Sequence, residues 1–370
     1  RTILLAPEPD LTMAERELVD RLRTVVKEID TTERAGANLE TRRTELEAEL
    51  RDARRRNAEA SGAPVATPHL APRASAYLFS KDGELCALHI IDGEPQAHVG
   101  GIDLDTLRRA LSMLTTTLGV NAGGIAHGFD RVLDGTRTLL EPILEHIDGH
   151  ESVVIIPEPT LPQIPWALLT DTAVLYSGSM AEWRLSELRV ERPLNPMIVA
   201  GPRLEHADAE AARLARLMPG ATVLSGDSAT AENVLHSFAH AGMVHFATHG
   251  RFRSDNPMIS SIELADGPLT FYDLLGTGSV PSRLVFSSCD VAQSSAQSPL
   301  GLAALLIDRG CKAFVASSGL ANDEAAVDLM EHLHRNLGDG TTMAVALRRA
   351  QAELIDVEPS TAMFGTFGAG

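Results

Sequence analysis

From Pro196 onward, short apolar runs alternate with amphipathic stretches, and that alternation leaves few architectures open. Met197–Ala200, Thr222–Leu224, Met243–Ala247, Arg283–Phe286 and Lys312–Ala316 are rich in β-branched and aliphatic residues, the composition of buried strands. Between and after them, Ala207–Leu217, the stretch from Thr230 to His240, Pro299–Arg309, Asp323–Asn336 and Thr341–Leu354 carry helical spacing. Thr230 is placed to cap its helix and Gly310 to end another. Strands separated by single helices run parallel, with the helices packed on the faces of the sheet. The second half of the chain is therefore α/β, a mostly parallel sheet flanked by helices.

Two of these strands run out into residues that can do chemistry. Met243-Val-His-Phe-Ala-Thr-His-Gly250 delivers His249, and Arg283-Leu-Val-Phe-Ser-Ser-Cys-Asp290 delivers Cys289. The carboxyl ends of parallel strands open onto one edge, where reactions collect. A histidine and a cysteine brought to that edge make a nucleophile and base pair, since a thiol needs a neighbouring imidazole to react at neutral pH. Gly250 lets the backbone approach a substrate closely and leaves its N–H free. His245, four residues before His249, lacks the glutamate of a metalloprotease helix and lies in a strand, so it reads as a buried, hydrogen-bonded histidine. Alone, Cys289 would be an inert core thiol; its place opposite His249 argues otherwise.

The first half is of another kind. Residues 1–60 are charged and carry apolar residues at three- and four-residue intervals, so they read as a helical hairpin or one bent helix. Residues 61–73 hold three prolines and read as a linker. Ala76–Phe79 and Leu85–Ile91 form a hairpin through Asp82-Gly83, with Cys86 as a core thiol. Helices are expected at Leu104–Leu118 and Thr136–Ile147, and a strand at Ser152–Ile156. The prolines of Pro157–Trp166 interrupt regular structure. Residues 74–195 thus form an α/β layer without a His–Cys pair, and residues 196–370 carry the site.

Composition narrows the function. A formal net charge of -18 over 370 residues argues against nucleic acid, whose phosphates demand Lys and Arg, and against anionic membrane surfaces. Three cysteines without a Cys-x-x-Cys pair favour neither a disulfide framework nor zinc, and a reducing, cytoplasmic setting follows. With aromatics at 4%, the core is expected to be aliphatic. No apolar run reaches membrane-spanning length, and the amino terminus lacks a signal-peptide layout. Because the chain opens on Arg1, it is read as part of a longer one. There is no P-loop, no complete dinucleotide fingerprint, and at Ser317-Ser-Gly319 no hydrolase nucleophile elbow.

At this point the residues carry a resemblance. Val244-His-Phe-Ala-Thr-His-Gly250 and Leu284-Val-Phe-Ser-Ser-Cys289 resemble the His-Gly and Ser-Ala-Cys blocks of the CHAT domain family, caspase- and separase-like cysteine peptidases often fused to TPR repeats. Val153–Pro157 with Ile164-Pro-Trp166, Gly226-Asp-Ser-Ala-Thr230, Pro299-Leu-Gly-Leu-Ala303, Gly310-Cys-Lys-Ala313 and Ala346-Leu-Arg-Arg-Ala-Gln351 extend it over roughly residues 75–355. The resemblance implies a caspase-like fold in which residues 74–195 are an inactive subdomain. It implies an endopeptidase with His249 as general base, Cys289 as nucleophile, and the N–H groups of Gly250 and Cys289 as oxyanion hole. No cofactor or metal is implied. Partners would be a protein or peptide substrate and a regulatory protein or TPR region preceding residue 1.

Val291 stands where the family often has Thr, and Gly319-Leu320 where it often has Leu-Trp, so specificity is read from this chain alone. Substrate-binding candidates are Ser287, Asp290, Ser317 and Asp323, with Asp290 or Asp323 as a possible acidic pocket floor. Basic-specific relatives carry an acid where Ser287 stands, which points to an uncharged P1 residue. Residues 251–281 are read as an irregular segment that contains Ile262–Leu264 and Phe271–Leu275, a disordered or occluding loop that settles only on activation. The competing class is a caspase-like surface that only binds a partner, its dyad unused.

Overall fold

Two Asp-Gly turns start the ordered sheet. Asp82 and Gly83 have φ of 52° and 86°, and Asp92 and Gly93 repeat this with 51° and 85°, the pair of left-handed residues that a type I′ hairpin requires. They join β1 (Ala74–Lys81), β2 (Glu84–Ile91) and β3 (Glu94–Asp103) into an antiparallel meander. The computed structural model describes residues 72–120, 128–193, 195–251, 260–275, 280–287, 298–319, 321–338 and 340–370, with selected positions between 17 and 49. By packing, the chain forms two units, 1–68 with 270–278, and 69–269 with 279–370. In the first, the described positions from 17 to 49 are helical and Arg21 lies 4.0 Å from Glu49.

In the larger unit, α1 (Leu104–Val120) buries Leu104, Leu107, Leu111, Leu114 and Leu118, a single stripe at three- and four-residue steps. Helix α2 (Phe129–Ile147) begins seven residues before the expected Thr136, just after Gly128 at φ 102°. Then follow β4 (Ser152–Ile156), β5 (Ala173–Tyr176) and α3 (Met180–Glu187). The regular alternation continues through β6 (Pro196–Ala200), α4 (Ala207–Leu217), β7 (Thr222–Leu224), α5 (Ala231–Phe238) and β8 (Met243–Ala247). Thr230 caps α5 by accepting the Asn233 N–H at 3.3 Å.

The segment expected to be largely irregular is ordered where it is described. It holds β9 (Gly250–Arg251), β10 (Ser261–Leu264) and β11 (Gly267–Thr270), which form a small second sheet, and α6 (Phe271–Leu275). The chain closes with β12 (Arg283–Phe286), α7 (Ser298–Asp308), β13 (Ala313–Ser317), α8 (Asp323–Gly338), α9 (Met343–Leu354) and β14 (Phe364–Gly368). Gly310, which ends α7, has φ 104°.

The main sheet has the order β3-β2-β1-β4-β5-β14-β13-β12-β8-β6-β7. Beyond the opening meander, neighbours are parallel except at β13–β14. That one antiparallel join reverses direction, so the strands of the first half enter the edge that those of the second half leave. Both halves share one sheet, and β14, unforeseen in the sequence, is the strand between them.

The two faces of the sheet differ. Met243, Val285, Ala313 and Val315 pack against α8 and α9, and Ile198, Ala200 and Ala247 against α4. The alternate residues form an aromatic row, one ring per strand: Tyr176, Phe367, Phe314, Phe286 and Phe246, continued by Phe238 of α5. Successive ring centroids lie 5.5, 4.8, 6.2, 5.3 and 6.4 Å apart. Around this row the core is aliphatic, as composition implied, built mainly from Leu, Val, Ile and Ala. In this ladder each contact adds about 0.5–1.5 kcal/mol beyond buried area.

Candidate active site

Strand β8 is buried along its whole length between β6 and β12. Its register pairs Phe246 with Phe286 and with Val199, so the carboxyl ends of three parallel strands reach the same edge side by side. Past Ala247 the chain stays buried at Thr248 and then exposes His249.

The loop after β6 packs into this turn. Gly201 donates its N–H to Ala247 O at 2.8 Å. A Cβ there would stand 2.7 Å from Thr248 Cβ and 2.9 Å from the carbonyl of Glu263, so only glycine permits the approach. Two residues on, Arg203 adopts φ 61°, a left-handed conformation that costs a non-glycine residue about 1 kcal/mol. Its carbonyl faces His249 Nε2 at 3.0 Å. A carbonyl only accepts, so Nε2 carries the proton, and the neutral ring keeps its lone pair on Nδ1.

Strand β10 closes the arrangement. The Glu263 N–H donates to His249 O at 2.8 Å, and the Glu263 carboxylate takes the Arg203 guanidinium at 2.7 Å. His249 is thus held at its ring by one loop and at its carbonyl by a strand, and the two are tied by an ion pair. Gly250 pairs with Ile262. Since the flanking bond is Glu263 N–H to His249 O, theirs is the non-hydrogen-bonded kind of pair, and the Gly250 N–H points away from β10.

Of the other residues singled out in the sequence, Cys289 and Asp290 lie outside the described residues. Ser287 is buried; its N–H donates to Phe246 O at 3.0 Å, and its hydroxyl donates to Glu210 at 3.1 Å. Ser317 is buried with its hydroxyl turned onto Gly319 O at 2.6 Å. Asp323 is exposed at the start of α8. His245 is fully buried, between Glu210 at 2.8 Å and His334 at 3.0 Å, as its strand position implied. Cys86 and Cys311 are free and buried, and burial pushes the Cys311 thiol far up, leaving it inert.

Sequence reading missed Glu210, His334 and the Arg203 carbonyl. The first two had a signal: Ala207, Glu210, Ala211 and Leu214 form one helical stripe, and His334 follows Ala326, Val327, Met330 and Leu333 on another. A charged residue on a buried stripe calls for a partner. Among the described residues no cluster of three or more His, Cys, Asp or Glu is arranged to hold a metal. No described helix is long and apolar enough to cross a membrane.

The family model for the CHAT domain matches residues 136–363. Among solved structures, a Saccharomyces cerevisiae separase–securin complex is similar at 13% identity and a TM-score of 0.44, over 66% of this chain and 18% of that one. A second crystal structure of that complex gives 11% and 0.45, over 97% and 28%. The Arg specific cysteine proteinase gingipain R gives 10% and 0.38, over 70% and 75%. The chain therefore spans less than a third of the separase chains it matches. No curated protein matches it in sequence.

Proposed function

Because the chain belongs to the CHAT domain family, we propose that it is a cysteine endopeptidase working through His249 and Cys289. The observation that carries this reading is the register of β8 and β12. Phe246 and Phe286 are partners on adjacent parallel strands, and in the sequence His249 and Cys289 each follow their phenylalanine by three residues.

In the proposed reaction, Nδ1 of His249 takes the Cys289 thiol proton, and the thiolate attacks the scissile carbonyl carbon. The tetrahedral oxyanion accepts from the N–H groups of Gly250 and Cys289; losing one such donor typically costs about 3 kcal/mol of barrier. Collapse breaks the C–N bond, the imidazolium gives its proton to the leaving amine, and a thioester remains. His249 then deprotonates the water that hydrolyses it. The Arg203 carbonyl supports this cycle by keeping the proton on Nε2 and stabilising the imidazolium.

The substrate is a protein or peptide with an uncharged P1 residue, a preference that rests on the sequence having no acid at position 287. Residues 74–195 serve as the inactive subdomain. Control by a regulatory protein partner and a reducing cytoplasmic setting complete the proposal.

An electrophilic peptide probe tests it. Cys289 should be labelled, labelling should vanish in Cys289→Ala, and His249→Ala should slow it by about 10²-fold or more, the usual worth of a general base. Labelling that ignores His249 would assign the surface to partner binding instead.

A further inference from the structure

Beneath the two strand ends lies a cluster of polar side chains that the proposed chemistry leaves unused. Glu210 of α4, His245 of β8, Ser287 after β12 and His334 of α8 come from four elements, and all are buried. One carboxylate oxygen of Glu210 lies 2.8 Å from His245 Nε2, and the other accepts the Ser287 hydroxyl at 3.1 Å. His245 Nδ1 faces His334 Nε2 at 3.0 Å, and His334 Nδ1 has no partner among the described residues. Burial, and then the neighbouring His245, hold His334 well below the ordinary 6.5, so its ring is neutral. On the outside, Arg213 of α4 reaches Asp328 at 2.7 Å and Glu331 at 3.4 Å on α8, tying together the helices that bear Glu210 and His334.

Stability alone does not account for such a cluster. Apolar residues of similar volume generally hold a buried position as well as an ionic group does, or better. What they cannot do is fix two strands at defined points. Glu210 does this, because His245 lies on β8, Ser287 directly follows the adjacent parallel strand β12, and one carboxyl group bonds both side chains. Ser287 is also where β12 gives up its last described sheet bond, to Phe246 O, two residues before Cys289.

We propose that Glu210, acting through Ser287 and His245, is a positioning residue that sets how β12 releases the chain toward Cys289 relative to β8, which releases His249. The proposal rests on reading His249 and Cys289 as the reacting pair. The tolerance is narrow: a misplacement of about 1 Å in such a pair costs on the order of 10²-fold in rate.

The test compares full-length wild type with Ser287→Ala, Ser287→Thr, Glu210→Gln and His249→Ala. Each is treated with a peptide chloromethyl ketone over a range of concentrations, and separately with iodoacetamide, and modification of Cys289 is read by mass spectrometry. In Ser287→Ala and Glu210→Gln the maximal rate with the peptide reagent should fall about tenfold or more, while the half-saturating concentration stays within about twofold. With iodoacetamide applied at about pH 9.5, where a thiol ionises without help from an imidazole, the rate should hold, because the sulfur is no less accessible. Ser287→Thr, which keeps the hydroxyl, should recover most of the loss. Wild-type rates in Ser287→Ala and Glu210→Gln, equal losses with both reagents, or no rescue by threonine would overturn the positioning role while leaving the peptidase reading intact. Labelling indifferent to His249→Ala would end both.

Discussion

At the scale of single residues, His249 is set by contacts of two kinds that respond differently to mutation. Gly201 is a matter of space. A methyl group there meets the Cβ of Thr248 at 2.7 Å and the main-chain oxygen of Glu263 at 2.9 Å, and neither is the free end of a flexible side chain. Gly201→Ala should therefore cost about 1–3 kcal/mol, the usual penalty for overpacking, and it should slow probe labelling because Thr248 and His249 must move together. Arg203 is a matter of main chain. Its carbonyl holds the imidazole, while its side chain, 72% exposed, makes an ion pair of a class worth about 0–1 kcal/mol. Arg203→Ala keeps the acceptor, so labelling should stay within about fivefold of wild type, the rate equivalent of 1 kcal/mol. Histidine ring ¹⁵N spectra should still show the His249 proton on Nε2. A loss in Arg203→Ala as large as in Gly201→Ala would mean that the side chain, and not the carbonyl, orients the ring. This also marks what sequence could deliver. His249 and Gly250 were legible because a strand pattern ended on them, but a main-chain carbonyl from a left-handed arginine carries no residue signature.

At the scale of elements, β14 shows why part of the fold was hidden. Its sequence, Phe364-Gly-Thr-Phe-Gly368, holds two glycines, which weaken a strand, and it follows the last helix with no alternation to announce it. The glycines are there for tertiary reasons. Gly368 has φ 93°, and a Cβ on it would stand 2.4 Å from Lys312 O, while one on Gly365 would stand 2.6 Å from the Gln163 amide nitrogen. The strand slides between β5 and β13 only because it is bare. Gly368→Ala combines backbone strain with a clash against main chain, so we expect a loss of about 2–4 kcal/mol in chemical denaturation. Gly365→Ala meets the movable amide end of Gln163 and, less closely, the Tyr176 ring at 3.3 Å, with no main-chain clash, and should cost less. Equal effects at the two positions would contradict this account of the join. The missed β3 is a different matter: Asp92-Gly93 repeats the turn signal of Asp82-Gly83 and was there to be used. From Pro196 to Leu354 the strand and helix alternation was legible almost throughout, because each element buries its own periodic face.

At the scale of the whole molecule, acid sets two tendencies against each other. The chain carries 50 acidic against 32 basic residues, so lowering the pH relieves a diffuse self-repulsion that favours unfolding. The buried histidines act the other way. His89 of β2 is 1% exposed and packs its ring 4.8 Å from that of His146. Burial first, then the charges of His146 and His150, bring its pKa down to about 4, and His334 is likewise held well below 6.5. In the unfolded chain each titrates near 6.5. Between that value and the folded one the unfolded state binds more protons, so stability rises with pH across the window and is lost as pH falls through it. Above about 7 both states are neutral at these rings and the contribution is flat. Salt screens the diffuse surface repulsion but reaches buried rings poorly, so at high salt the histidines decide. The thermal midpoint in high salt should therefore be level above pH 7 and drop steadily below about pH 6. His89→Phe, which keeps the ring's bulk and removes its titration, should flatten that drop by about one proton's slope. Parallel curves for wild type and His89→Phe would show that the carboxylates, and not the buried imidazoles, govern the acid limit of this fold.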